Sequence, residues 1–164
     1  MKNTGIALLL LVLISACGER NGKSGMTLQA DSSLGTLVAD TIIYDVALTN
    51  PNPEDPWGDQ RLKRLNRKAF VDSIFLMIYS GNATAYDHNT GEKLTVKQME
   101  RMEIDSVFQR TKINMIQFKE AWYINPSGIS ITKDVISMVL GSQVYDSYGV
   151  YLGNRAVMRV ELRK

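Results

Sequence analysis

Ile116-Gln117-Phe118-Lys119-Glu120-Ala121-Trp122-Tyr123-Ile124, continued by Asn125-Pro126-Ser127-Gly128 and a run from Ile129 to Val139, decides the fold class. In an extended chain alternate side chains share a face, so Ile116, Phe118, Trp122 and Ile124 fall together. Asn, Pro, Ser and Gly then supply turn chemistry, and the following run extends again, which predicts a hairpin. Downstream, Gly141, Gly149 and Gly153 punctuate a connection carrying Tyr145, Tyr148 and Tyr151. Ala156, Met158, Val160 and Leu162 then alternate with Val157, Arg159, Glu161 and Arg163, which predicts a half-buried closing strand.

Upstream the period changes. Thr95 and Gln98 have capping-box spacing, and Leu94 and Met99 occupy the two positions of a hydrophobic staple, so a helix is expected from Val96 to about Val107. Asp55-Pro56 reads as an N-cap followed by proline at the first helical position. The helix expected from Trp57 to Tyr79 carries Leu62, Leu65, Ala69, Phe70, Ser73, Ile74 and Met77 as its core stripe. Before it, residues 41–48 suit a strand, stopped by Asn50-Pro51-Asn52-Pro53 because proline bars continued pairing. Helices followed by strands predict an α+β domain over residues 40–164. Two or three helices would cover one face of an antiparallel sheet.

The amino terminus has a different character. Lys2 precedes an uncharged apolar run, Ile6 to Ile14, and then Ile14-Ser15-Ala16-Cys17, which resembles a lipobox. Residues 1–16 are expected to be a secretory signal, since the run falls short of the ~20 residues needed to span a bilayer. Cys17 is the one cysteine of the chain, so it is the expected lipidation site and no internal disulfide is possible. An acylated terminus gains roughly 0.8 kcal/mol per buried methylene and is held stably on a membrane. Gly18, rather than aspartate, follows the cysteine and favours the outer membrane, facing the periplasm. Residues 17–39 read as the lipidated cysteine and a flexible tether, with an r.m.s. reach of about 25–30 Å.

Charge excludes some partners. The chain holds 19 Lys and Arg against 17 Asp and Glu, and loss of Lys2 with the signal leaves a net charge of about +1. That balance predicts neither a nucleic-acid binder nor a receptor for a strongly acidic ligand. The one concentrated charge feature is Arg61, Lys63, Arg64, Arg67 and Lys68 on the expected long helix. These residues suit contact with anionic headgroups or an acidic partner, and equally a solvated helix face.

Catalytic parts are sparse. The sole histidine, His88, sits in an expected turn, and Ser73 and Ser80 lack a nucleophile-elbow context. Asp87, Asn89, Gly91 and Glu92 could offer oxygen ligands to calcium, but an Asx turn accounts for the same residues. Glu120 beside Trp122 reads as a pocket carboxylate or as a polar residue on an edge strand. No catalytic residue, metal or cofactor is expected.

Two blocks carry a family likeness. Residues 78–87, Ile-Tyr-Ser-Gly-Asn-Ala-Thr-Ala-Tyr-Asp, with Leu94-Thr95, resemble the segment of GldN/PorN proteins where a helix ends in an aromatic-x-Gly pattern and runs into Ala-Tyr-Asp. Residues 118–123, Phe-Lys-Glu-Ala-Trp-Tyr, resemble that family's Lys-Glu-x-Trp-aromatic strand. Gly81, Tyr86, Asp87, Glu120 and Trp122 are the positions that match. The resemblance implies a non-enzymatic structural role in gliding motility and type IX secretion, in assembly with envelope proteins that include a secretion-system lipoprotein. A binding module is the competing class, with Trp57, Tyr145, Tyr148 and Tyr151 as stacking surfaces for a glycan or other small ligand. An envelope enzyme is the third.

Overall fold

Strand β1 (Thr36–Ala47) leads into helices α1 (Pro56–Leu62) and α2 (Arg67–Tyr79), strand β2 (Ala83–Asp87) and helix α3 (Val96–Ile104). A single 3-10 turn (Arg110–Lys112) then opens the run of strands β3 (Ile113–Ile124), β4 (Ile131–Tyr145) and β5 (Tyr151–Leu162). This computed structural model describes residues 34–52, 54–105, 108–125 and 130–162. The expected signal, Cys17 and the tether up to residue 33 lie outside the described residues.

The five strands form one antiparallel sheet in the order β1-β3-β4-β5-β2. Two rungs run across it: Val46, Ile116, Leu140 and Met158, then Tyr44, Phe118, Met138, Val160 and Ala85. Cross-strand partners share a face, so each rung is a continuous apolar row. Val71, Ile74, Phe75 and Ile78 of α2 and Met99 of α3 are buried in the same cluster as these rows. The expected α+β architecture, a single domain with helices against an antiparallel sheet, is thus the observed one.

The helix starts follow their caps. Asp55 accepts a hydrogen bond from the Trp57 amide at 3.0 Å, with Pro56 at the first helical position. Thr95 and Gln98 form the reciprocal capping box, and Met99 is fully buried below it.

Several expected boundaries move. The helix expected from Trp57 to Tyr79 is two helices, because Asn66 accepts a hydrogen bond from the Ala69 amide at 3.0 Å and begins a new one. An asparagine side chain offers the backbone an alternative to helix continuation, which is why it favours caps over interiors. The stripe rotates with the break: Leu65, Ala69 and Ser73 are exposed, and Val71, Ile74, Phe75 and Ile78 are buried. α3 ends at Ile104, earlier than expected.

At the amino end, β1 begins four residues before the expected domain boundary at 40. Thr36 pairs with Ile124 and Leu37 with Tyr123, so the sheet recruits residues assigned to the tether. β4 runs on to Tyr145, and the aromatic connection is the end of a second hairpin. Its turn is held by Asp146, whose carboxylate accepts from the amides of Tyr148 at 2.9 Å and Val150 at 2.8 Å. Gly149 supplies the positive φ of 80°.

Gly58 shows how tightly α1 is seated. A Cβ there would stand 2.4 Å from the Asn50 Oδ1, while Asn50 donates from Nδ2 to the Asp55 carbonyl at 2.7 Å. Gly58→Ala is expected to cost about 1–3 kcal/mol through forced displacement of Asn50, read as a lower denaturant midpoint. An unchanged or raised midpoint would mean that α1 is not packed on the Asn50 loop.

Candidate functional site

The basic residues expected to share one helix face are dispersed. Arg61 pairs with Asp55 at 3.3 Å and Lys68 with Asp72 at 2.7 Å, the latter holding the Asp72 carboxyl below its ordinary range. Arg67 reaches across to the 3-10 turn and donates from Nη1 to the carbonyls of Thr111 at 2.6 Å and Ile113 at 3.1 Å. Lys63 and Arg64 lie in the link between α1 and α2, exposed and in no ion pair among the described residues.

The two blocks of the family-like motif lie apart. Gly81 follows α2 with φ of 78°, and Tyr86 and Asp87 close β2 on one edge of the sheet. Glu120 and Trp122 lie on β3, with β4 and β5 between the blocks. The Asp87 turn is an Asx turn: one carboxylate oxygen accepts from the amides of Asn89 and Thr90, both at 2.8 Å. Those amides, that of Thr90 first, hold the Asp87 carboxyl below its ordinary range. His88 is exposed beside it, and among the described residues no three His, Cys, Asp or Glu side chains gather as a metal site.

Glu120 departs from the edge-strand reading. β3 is an inner strand, and the residue is only 4% exposed. Its carboxylate accepts from the Tyr44 hydroxyl at 2.8 Å and the Trp122 Nε1 at 2.9 Å. The Lys133 ammonium stands 4.5 Å from the Trp122 ring and 5.7 Å from that of Tyr44, a cation–π arrangement. Burial, followed by the bond to Glu120, raises the Tyr44 hydroxyl above its ordinary range. The hydrogen bonds join β1 to β3 and the Lys133 cation adds β4, so the group has the character of a cross-strand clasp.

A second junction centres on Arg110. Its guanidinium forms a two-pronged pair with Glu103, donates to the Tyr79 hydroxyl at 2.9 Å, and lies 4.2 Å from the Phe75 ring centre. The bond to Glu103 raises the Arg110 group above its ordinary range. This ties α2, α3 and the 3-10 turn together.

Among the described residues, concave surface lies at the end of the sheet where β3 begins. A recess of about 440 Å³ is lined by Arg67, Lys112, Asn114, Gln143, Tyr145 and Arg155, among others. Beside it rises the β4–β5 hairpin arm, with exposed Tyr145, Val150, Tyr151 and Leu152, and Tyr148 90% exposed at the turn. The rings of Tyr145 and Tyr151 meet edge to face, 5.8 Å apart. Of these residues the sequence singled out the tyrosines and Arg67. Lys112, Asn114, Gln143 and Arg155 carry no local signal, because only the pairing of β4 with β5 and the path of the 3-10 turn bring them together.

The chain enters the described domain at the opposite end, since Thr36 pairs with the last residue of β3. Among the described residues no helix is long and apolar enough to cross a membrane. Comparison of the chain with protein-family models and with curated proteins finds no match.

Proposed function

We propose that this protein is a lipid-anchored component of the bacterial envelope, held by an acylated Cys17 at the outer membrane and facing the periplasm. Its role on this reading is assembly with other envelope proteins, of the kind the GldN/PorN resemblance implies, and not catalysis. The observation that carries the assembly reading is the hairpin arm. Tyrosines and aliphatic residues left exposed on one hairpin with a fixed turn suit a contact surface, because apolar area in water gains free energy when a partner covers it. Rigidity is built in: the Asp146 carboxylate fixes the turn, so little ordering entropy is lost on docking.

Cys17→Ala tests the anchor. Radiolabelled fatty acid fed to cells should enter the wild type and be absent from the variant, which should leave the membrane fraction. Equal label in both would end the lipoprotein reading. Tyr148→Ser with Leu152→Ser tests the arm: the protein should stay folded and anchored while its envelope complex, sized on a native gel, becomes smaller. A complex of unchanged size would remove the arm as the assembly contact.

A further inference from the structure

We propose that the recess beside the hairpin arm is a binding site for an acidic carbohydrate, a sugar ring bearing a carboxylate. This goes beyond the assembly reading and does not depend on the anchor.

Charge is the first reason. Arg67 at the start of α2, Lys112 in the 3-10 turn and Arg155 on β5 converge on one concavity whose lining holds no acidic residue. Among the described residues, neither Lys112 nor Arg155 forms an ion pair. A neighbouring recess, lined by Arg67, Lys68, Asp72 and Arg110 with two others, shows the contrast, because there Asp72 neutralises part of the charge. Three like charges held together and uncompensated favour an anion. Arg67 is already fixed by the carbonyls of Thr111 and Ile113, and a guanidinium with five donors has others to give.

The polar groups say that the anion carries hydroxyls. Asn114, 4% exposed, donates from Nδ2 to the Asn154 Oδ1 at 3.0 Å, yet its own amide oxygen has no donor. A buried acceptor left unpaired costs about 1–3 kcal/mol. A bare carboxylate brings no donor to it, whereas a sugar hydroxyl does, once the exposed side chains at the rim move aside. Gln143 accepts from the Tyr145 hydroxyl at 2.8 Å through its oxygen, which leaves its amide N–H groups for a ligand oxygen. The half-exposed ring of Tyr145, propped by Tyr151, offers a flat apolar face of the sort a sugar ring covers. The volume lies within the ~300–1,000 Å³ of small-ligand sites.

The full chain in mild non-ionic detergent would be titrated calorimetrically with digalacturonic acid and with its dimethyl ester, which keeps the rings and hydroxyls and loses the charge. The acid should bind at least tenfold more tightly. Lys112→Gln with Arg155→Gln should weaken it at least tenfold at an unchanged denaturant midpoint. Arg159→Gln, which breaks an ion pair with Glu161 elsewhere on the sheet, should leave binding as it is. Equal affinity for acid and ester, or undiminished binding by the double variant, overturns the site. Triglutamate or inorganic phosphate binding as tightly as the disaccharide also overturns it, because charge alone would then account for the affinity.

Discussion

Phe75→Ala is expected to lower the stability of the domain by about 3–5 kcal/mol, the usual cost of emptying a large aromatic site in a core. Phe75 is fully buried and stacks on Phe108 with ring centres 5.7 Å apart. It meets Tyr79 edge to face at 6.2 Å, and the Arg110 guanidinium covers its ring. The substitution therefore leaves a cavity and removes the apolar floor beneath a half-buried charge. Since whole domains are stable by only ~5–15 kcal/mol, the denaturant midpoint should fall steeply. The next residue is the control. Leu76, 67% exposed, should tolerate alanine within about 0.5 kcal/mol. Equal midpoints for the two variants would mean that α2 presents another face to the sheet.

Glu120→Ala is the second large effect, expected at about 2–4 kcal/mol. The Tyr44 hydroxyl and the Trp122 Nε1 would lose their common acceptor, at roughly 1–3 kcal/mol for each donor left unpaired. Both residues are half-buried, so water recovers part of that cost. Glu120→Gln should lose less, because its carbonyl still accepts from one donor while its amide N–H groups face the other. Urea titration followed by tryptophan fluorescence reads both variants, with Trp122 reporting on the clasp itself. If alanine and glutamine cost the same, the two hydrogen bonds are not what holds Glu120.

What the sequence revealed, and what it hid, follows from the range of the forces involved. The capping box at Thr95 and the Asp55-Pro56 helix start are encoded within four residues, and both stand where expected. The hairpin led by Ile116 was legible because alternation needs only its own strand. The break at Asn66 was hidden by periodicity, since Leu62, Leu65 and Ala69 continue an apolar rhythm across a cap that ends it. Glu120 was misplaced because strand order decides between edge and interior. That order depends on β1 arriving from 76 residues upstream to supply Tyr44. The recess is the extreme case: its cations come from α2, the 3-10 turn and β5, and no local pattern records that meeting.

Chain entry at Thr36 and the aromatic arm lie at opposite ends of a sheet whose first strand, at ~3.3 Å per residue, is about 40 Å long. If acylated Cys17 is the fixed point, as proposed, the length of β1 alone sets the arm about 40 Å beyond the place where the chain enters the domain. The arm is then held at the end of the sheet away from that point of entry. Anchored copies and their partners would share one membrane surface, where each meets the other more often than in dilute solution. Weak contacts through the arm would be favoured there and nearly silent in dilute solution, so releasing the anchor should loosen the complex without altering a single contact residue.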